Sequence, residues 1–209
     1  MMIPFDKAGR PIELNLALAE ARYWPHFLDR SNAWQLLEHL IAKVPYRQDK
    51  IMMFGRPVLQ PRLVCWMADS GFNLKYSGLI MEPTPWDPEV LVLKQQVEAL
   101  TNATYNSVLI NYYRDGQDSM GWHADNEKEL GLNPIIASVS LGASRKFCLK
   151  PNQSTDGSPT QTISLLLEHG SLLLMGPGVQ NQYKHQLPKT TKTLGTRINL
   201  TFRKMLTSA

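Results

Sequence analysis

The spacing of apolar residues predicts two amphipathic helices in the first half of the chain. The first begins after Ser31, a residue type that caps helices, and ends before Pro45. Its apolar side chains recur at helical spacing: Trp34, Leu37, Ile41 and Val44. The second begins at residues 87–89, where Asp-Pro-Glu places a proline at the first helical position. Its apolar side is formed by Val90, Leu93, Val97 and Leu100.

From residue 107 onward the pattern becomes typical of β-strands. Short runs rich in Val, Ile, Leu, Phe and Thr are separated by clusters of Gly, Pro, Asn and Asp. The runs are 107–113, 135–141, 145–149, 161–167, 171–175 and 197–202. So many strands in about a hundred residues predict a β-sandwich or jelly roll with the helices outside it, a mostly β, α+β fold. Residues 47–76 have weak alternation and can hold hairpins.

Length and composition limit the classes of protein to which this chain can belong. The 209 residues are 43% hydrophobic and 19% charged, which suits one domain. The first residues lack the apolar segment of a signal peptide, and no run approaches ~18 apolar residues, so secretory, transmembrane, collagenous and disordered proteins are excluded as main interpretations. The two cysteines, Cys65 and Cys148, form no CxxC pair and are interpreted as thiols of a reducing compartment.

A histidine and an aspartate two residues apart suggest a metal site. On an extended strand, His123 and Asp125 point to the same face, so both can bind one ion. Among the other histidines, His26 and His39 fall in the helical N-terminal part, and His169 is expected in a tight turn. His185 lies near the end of a strand that a jelly roll can place beside His123.

Two histidines and one carboxylate leave three coordination positions open, an arrangement suited to an Fe(II) oxygenase. The alternative is an ordinary surface pair of His and Asp, because this short motif is common by chance.

The C-terminal strand places two arginines on one face. Residues 197–203 alternate strictly, so Arg197, Asn199, Thr201 and Arg203 point to the same side. One interpretation is a sheet with one solvated face. The other is a site for a small dicarboxylate, because no acidic residue follows Glu168 and guanidinium binds carboxylate in a bidentate manner. Asn111 and Tyr113, which alternate on an earlier strand, can add hydrogen bonds.

These features recur together in a known family. The motifs are Asn111-x-Tyr113, Arg114-Asp115-Gly116-x-Asp118-x-x-Gly121-x-His123-x-Asp125-x-Glu127, Pro-Ile-Ile-Ala-Ser-Val-Ser-Leu-Gly at 134–142, His169-Gly170-Ser171-Leu172, His185-x-Leu187-Pro188 and Arg197-x-Asn199-x-Thr201-x-Arg203. They resemble the AlkB family of Fe(II)- and 2-oxoglutarate-dependent nucleic-acid dealkylases, and its nuclear DNA-repair members most. The resemblance covers roughly residues 50–205.

The resemblance implies a double-stranded β-helix that uses Fe(II), 2-oxoglutarate and O2. It implies that His123, Asp125 and His185 bind iron and that Arg197 and Arg203 anchor 2-oxoglutarate. Four further residues would assist the cosubstrate: Asn111, Tyr113, Asn199 and Thr201. The expected reaction hydroxylates the alkyl group of bases such as 1-methyladenine or 3-methylcytosine in DNA and releases an aldehyde. Within a single domain, 1–209, we expect a helical N-terminal extension at 1–45, a nucleotide-recognition lid at 46–80 and the catalytic core at 105–205.

The substrate residues are expected mainly in the lid. Between Lys43 and Lys75 there are six basic and two acidic residues. By resemblance Phe54, followed by Gly55 and Arg56, enters the duplex as a wedge; the alternative is a core phenylalanine. The further candidates are Arg62, Trp66, Tyr76, Asn126 and Glu127.

Two of these candidates have an explicit alternative. Trp66 either stacks on an extruded base or packs in the core. Glu127 either favours a cationic alkylated base or is an ordinary loop carboxylate, and Asn126 departs from the acidic residue of some relatives.

Other functions stay open at this stage. The same chemistry on RNA is one alternative, and a nucleic-acid-binding module without catalysis is another. The formal charge of +4 favours an acidic partner. We expect a monomer with no membrane or protein partner, in the cytoplasm of a bacterium or, in a eukaryote, in the nucleus.

Overall fold

A seven-stranded antiparallel sheet runs through the centre of the molecule. The computed structural model describes residues 9–53, 56–72, 74–76, 79–153 and 161–206. In spatial order, the sheet consists of β1 (Ile12–Leu14), β2 (Ala21–Trp24), β13 (Ser171–Met175), β10 (Ile136–Gly142), β15 (Arg197–Arg203), β8 (Ser107–Tyr113) and β5 (Leu63–Ala68).

A smaller sheet packs against one face of this central sheet. Its spatial order is β12 (Ile163–Leu167), β11 (Arg145–Pro151), β14 (Tyr183–Leu187) and β9 (Met120–His123). Two separate hairpins pair β3 (Lys50–Met53) with β4 (Arg56–Leu59) and β6 (Leu74–Tyr76) with β7 (Leu79–Met81). The helices are α1 (Arg30–Lys43), α2 (Pro88–Thr101) and the short α3 (Val179–Gln182), with a 3-10 turn at Lys128–Leu130.

Alternation along the central strands creates two different interiors. On β15, Ile198, Leu200 and Phe202 join the core between the central sheet and the helices. The opposite face meets the smaller sheet, where Phe147 and Leu149 belong to a second core. Each strand therefore sends apolar side chains to the helices and its other side chains into the space between the sheets. These layers confirm the predicted mostly β jelly roll with flanking helices.

The helix boundaries agree with the apolar spacing, but the buried face of α1 does not. Asp29, not Ser31, caps α1, because its carboxylate accepts the N–H of Asn32. Leu37 and Val44 are buried as predicted, but Trp34 and Ile41 are 43% and 41% exposed, and Ala33 and Leu40 are buried in their place. The buried side of the helix is therefore turned by about one residue at these two positions. The second helix matches its prediction, with Asp87 as the cap and Val90, Leu93 and Val97 buried.

The expectation of a helical segment through residue 45 is wrong for residues 12–24. Residues 12–24 contain β1 and β2, and β2 pairs with β13 so that Tyr23 lies opposite Leu173. Such short strands have no periodicity of their own and are fixed by their partner. His26 is consequently in an exposed turn after β2, whereas His39 is within α1 as predicted. Of the helices formed by described residues, none is long and apolar enough to cross a membrane.

The turn between β10 and β11 depends on a glycine. Gly142 has φ of +84°, and a Cβ at this position would collide with the main-chain oxygen of Thr196. His169, in the predicted turn before β13, accepts the N–H of Gly142 at 2.8 Å. Both the positive φ and the close approach of β15 therefore require glycine here.

We predict that Gly142→Ala lowers the free energy of unfolding by more than about 1 kcal/mol, since the new Cβ meets both strain and backbone contact. Urea denaturation followed by circular dichroism measures the loss. Gly195→Ala is the matched control, because no atom lies within 4 Å of a Cβ built there. Equal losses in the two variants would contradict this account of the turn.

Candidate metal centre and cosubstrate pocket

Two histidines and an aspartate meet in the space between the sheets. His123 ends β9 and lies opposite His185 on the neighbouring strand β14. Asp125 follows two residues later, beyond the end of the strand. One possible ligand atom from each residue lies within 4.8 Å of the others. The structure thus brings together the three residues expected at the metal, although Asp125 is not on the strand assumed in the sequence argument.

Hydrogen bonds to other groups leave Nε2 of His123 and Oδ1 of Asp125, two atoms that can bind a metal, facing each other. Nδ1–H of His123 donates to the carbonyl of Gly121 at 2.8 Å, which assigns the lone pair of that ring to Nε2. Nε2 lies 3.5 Å from Oδ1 of Asp125. The other carboxylate oxygen, Oδ2, accepts a hydrogen bond from Nη2 of Arg203 at 2.7 Å. Oδ1 therefore stays on the side of the imidazoles.

The electrostatic environment keeps these groups in the forms that bind metals. Burial by itself raises the pKa of Asp125, but Arg203, His185 and His123 outweigh it and hold this pKa well below the usual range. Burial lowers the pKa of His185 to about 3, and the nearby His123 acts in the same direction. At neutral pH the centre thus offers a carboxylate and a neutral imidazole at these two positions.

The donor set fits Fe(II). Two imidazoles and one carboxylate form the facial arrangement found in non-haem Fe(II) oxygenases, with the remaining positions open to other ligands. His185 is buried, and its Nδ1 has no hydrogen-bond partner among the described residues. A buried polar atom without a partner fits a site that is completed by a ligand.

The polar face of β15 borders this centre and is buried. Arg197 is 2% exposed and Arg203 8%, and Asn199 and Thr201 between them are buried as well. All four line one cavity with His123, Asp125 and His185. The solvated-face interpretation is therefore wrong, since the smaller sheet covers this side.

Arg197 is the cation in this pocket that needs an anion. No carboxylate among the described residues forms an ion pair with it. Its guanidinium lies 5.2 Å from the centre of the Tyr113 ring and donates to Ser140 at 3.0 Å. Burial lowers the pKa of Arg197 to about 10, so the side chain remains charged at neutral pH. A buried charge of this kind is stabilised by a bound carboxylate.

Arg203 differs from Arg197 in this respect. The sequence offers no acidic residue after Glu168, yet the chain folds back to place Asp125 beside Arg203. The sequence shows no obvious counterion for either arginine, but the fold supplies one for Arg203, whose partner lies 78 residues earlier.

Comparison with known proteins identifies this combination of fold and site. The sequence signature of the 2OG-Fe(II) oxygenase superfamily matches residues 20–203. The chain belongs to this superfamily. It is 38% identical over 185 residues to alpha-ketoglutarate-dependent dioxygenase alkB homolog 3 of Mus musculus, covering 86% of this chain and 64% of that protein. It is 37% identical over 183 residues to DNA oxidative demethylase ALKBH2 of Homo sapiens, covering 85% of this chain and 70% of that protein.

These matches confirm the resemblance to the AlkB family. The solved structure of OsALKBH1 superposes with a TM-score of 0.64 at 16% identity, covering 91% of this chain and 100% of that one, and supports the fold. The chain spans 64% of the length of the mouse alkB homolog 3. Membership in the 2OG-Fe(II) oxygenases implies Fe(II), 2-oxoglutarate and O2, and the His-Asp-His cluster agrees with the metal.

The other residues expected at the cosubstrate lie in the same pocket but form different hydrogen bonds. Asn111 and Tyr113 line the cavity on β8. The side-chain oxygen of Asn111 accepts Nε–H of Arg62 at 2.7 Å, so its NH2 group is directed away from that contact. Asn199 donates to Ser138 and to the carbonyl of Val139, and Thr201 donates to Asn199. Asn199 and Thr201 therefore order the wall of the pocket.

The residues expected at a nucleic acid are distributed over several places. Arg62 is buried and lines the cavity, whereas Arg56 is exposed on β4. Trp66 is 2% exposed and belongs to the core between the sheets, which favours packing over base stacking. Tyr76 lies on β6. Phe54 and Gly55 lie outside the described residues.

Two candidates follow the metal cluster along the chain. Asn126 is exposed. Glu127 is half-buried, and its Oε2 has no hydrogen-bond partner among the described residues. Such an oxygen remains available to a ligand, which keeps the substrate role of Glu127 a working hypothesis.

Sequence reasoning missed several polar residues that shape this site. Ser138 and Ser140 contact Asn199 and Arg197, and their alternation on β10 is a signal that was available. Arg145 donates to three carbonyls, those of Asp115, Asp118 and Pro188. Gln180 accepts the main-chain N–H of Asp125 at 2.9 Å. No local pattern marks these last two residues, because their partners lie on distant segments.

We predict that Mn(II), a redox-stable substitute for Fe(II), stabilises the protein. At a free concentration of about 100 times Kd, the gain is about 2.7 kcal/mol and raises Tm by roughly 5 °C or more. His185→Ala should abolish the rise, because the buried imidazole is lost. Differential scanning fluorimetry measures the shift, with His26→Ala in an exposed turn as control. An equal rise in His185→Ala would place the ion elsewhere.

Proposed function

We propose that this protein is an Fe(II)- and 2-oxoglutarate-dependent dioxygenase that removes N-alkyl groups from DNA bases. The observation that carries the proposal is the His123–Asp125–His185 cluster, in which Asp125 and His185 are buried, in one cavity with the charged Arg197, which has no carboxylate partner among the described residues. A metal ligand set and a carboxylate-binding cation in one pocket suit a cosubstrate that must contact both.

When bound, Fe(II) and 2-oxoglutarate would supply the oxidation of the alkyl carbon by O2, coupled to decarboxylation of 2-oxoglutarate. One oxygen atom ends in succinate and the other in the hydroxyl group placed on the alkyl carbon, with CO2 released. The hydroxymethyl group on the base nitrogen then leaves as formaldehyde, and that nitrogen regains a proton or lone pair.

The chain's own residues would orient and shield these reactants. In this proposal Arg197 binds one carboxylate of 2-oxoglutarate, with Asn111 and Tyr113 beside it. Arg203 holds Asp125 in the orientation that directs Oδ1 toward the imidazoles. The cavity walls also include Phe147, Met175 and Leu187, whose apolar surfaces exclude water.

The proposed DNA substrate is supported by a basic surface outside the pocket. On the outer face of the smaller sheet, Lys150 lies directly opposite Lys184 on the adjacent strand. Both are exposed, as is Lys146, and none of the three forms an ion pair with another described residue. Like charges placed opposite each other destabilise a sheet unless an anion lies across them. A phosphate backbone is such an anion.

The name of one relative also supports a DNA substrate. The name of the human relative at 37% identity, DNA oxidative demethylase ALKBH2, states a DNA substrate. A base in a duplex must leave the stack to enter a cavity between two sheets. We propose that the lid at 46–80 performs this step above the core at 105–205, and that Glu127 favours cationic lesions such as 1-methyladenine and 3-methylcytosine. In this proposal the protein acts as a monomer, in the cytoplasm of a bacterium or in the nucleus of a eukaryote.

We predict that the wild type, given Fe(II), 2-oxoglutarate and ascorbate, releases formaldehyde and succinate from oligonucleotides containing 1-methyladenine or 3-methylcytosine. Arg197→Met should lower kcat/KM for 2-oxoglutarate by roughly 10- to 100-fold, because a charge-assisted contact is lost. Arg22→Met, at an exposed site on β2, is the control.

DNA and RNA oligonucleotides, single- and double-stranded, are assayed in parallel. Faster turnover on RNA would establish the RNA alternative. Tight binding of DNA without succinate release from any substrate would establish the binding-module alternative.

We predict that Phe54→Ala lowers kcat/KM on methylated duplex DNA by about 10-fold or more and changes single-strand activity by less than about twofold. The reason is that a wedge stabilises only the unstacked duplex. Steady-state formaldehyde assays on both substrates measure the ratio. Leu132→Ala, which removes an apolar side chain that is 95% exposed on another loop, serves as control. Equal losses on both substrates would favour a core role for Phe54.

A further inference from the structure

Gln180 joins the two chain segments that carry the metal cluster. It lies on the short helix α3 and is 2% exposed. Its Oε1 accepts the main-chain N–H of Asp125 at 2.9 Å, and its Nε2 lies 3.6 Å from the sulfur of Met175. Five residues later in the chain, β14 carries His185. The side chain of Gln180 thus links the segment of Asp125 to the residues that lead into the strand of His185.

We propose that Gln180 is a positioning residue that sets the metal affinity of the centre by fixing the main chain of Asp125. This inference rests on the proposed function only in assuming that the cluster binds a divalent metal. Gln180 is not itself a ligand in this proposal. It acts through Asp125, whose carboxylate must stay against both imidazoles.

Asp125 needs such support because sheet pairing ends before it. The last residue of β9 is His123, which lies opposite His185 on β14, so Asp125 follows as non-strand chain. Asp125 is also buried, and its N–H therefore requires a partner within the protein. Gln180 is that partner among the described residues, while Arg203 fixes the carboxylate end.

Gln180 can serve as an anchor because α3 is itself held firmly. Gly176 donates its N–H to the carbonyl of Glu20 at 2.7 Å, which ties the start of this segment to the residue before β2. Gly178 has φ of +88° and packs so closely against Leu18 and Ala19 that a Cβ would not fit. The helix is thus fixed to the loop between β1 and β2 before the chain enters β14.

The orientation of the Gln180 amide is determined by its two neighbours. The NH2 group faces the thioether of Met175, a weak acceptor, and the oxygen faces the N–H of Asp125. The reversed amide would place two donors together. A side chain without an oxygen here leaves the Asp125 N–H buried without an acceptor, and the loop must shift to satisfy it. Mutation of residues that hydrogen-bond to the metal ligands typically weakens metal affinity by 10- to 100-fold.

The test compares Gln180→Met, which has nearly the same volume but no oxygen acceptor, with Gln182→Met. Gln182 is exposed on the same short helix and is the matched control. Isothermal titration of the full chain with Mn(II) measures affinity. We expect a 10- to 100-fold increase in Kd for Gln180→Met and less than a twofold change for Gln182→Met. The Co(II) absorption spectrum at saturation should also change in Gln180→Met, because the carboxylate is displaced.

Gln180→Glu retains an acceptor oxygen and should restore most of the affinity, with Gln182→Glu as the control for added charge. Gln180→Asn, which is too short to reach Asp125, replaces Gln180→Met if circular dichroism shows that the latter is unfolded, and the same loss is expected. A folded Gln180→Met or Gln180→Asn with wild-type Kd and Co(II) spectrum overturns the inference. Failure of the wild type to bind Mn(II) overturns the metal centre itself, so the two outcomes are distinct.

Discussion

The buried ion pair between Asp125 and Arg203 connects the central sheet with the smaller sheet, and the site depends on both. Arg203 ends the strand that lies near the middle of the central sheet, and Asp125 follows the edge strand of the smaller sheet. Removing both charges from water is costly, and the 2.7 Å contact offsets that cost only while the sheets keep their spacing. The pair therefore couples the packing of the two sheets to the orientation of the carboxylate. Asp125 stays ionised because Arg203 and the two histidines outweigh its burial.

The space between the sheets must provide apolar packing for stability and also hold polar residues that can bind a ligand. An interior that faces another sheet is usually filled with apolar side chains, as at Phe147 and Leu149. β15 instead contributes four polar residues to it, including the charged Arg197 and Arg203. The apolar contacts of the same strand with the helices, through Ile198, Leu200 and Phe202, hold this polar face in place. Stability and ligand binding thus use alternate residues of one strand.

Local patterns in the sequence predicted much of this arrangement. Strict alternation located β15 and its polar face, because side-chain direction along a strand follows from residue parity. The spacing of His123 and Asp125 also pointed to the metal cluster, although Asp125 lies beyond the end of β9. Three features escaped because they depend on distant partners. The pairing of β2 with β13 determines the N-terminal strands, the core buries Ala33 while Trp34 stays partly exposed, and the return of the chain brings Asp125 to Arg203. Gln180 belongs to the same class, since only the fold brings it to Asp125.

The strand that carries His123 lies at the edge of its sheet, and no other strand of the described residues pairs with its outer side. Open edges of this kind can recruit strands from other molecules and start aggregation. Here β9 is only four residues long, and its register with β14 is interrupted by an irregularity between His185 and Leu187. A short, bent strand is a poor template for further pairing. The same short and irregular edge that carries His123 therefore offers little backbone for edge-to-edge pairing.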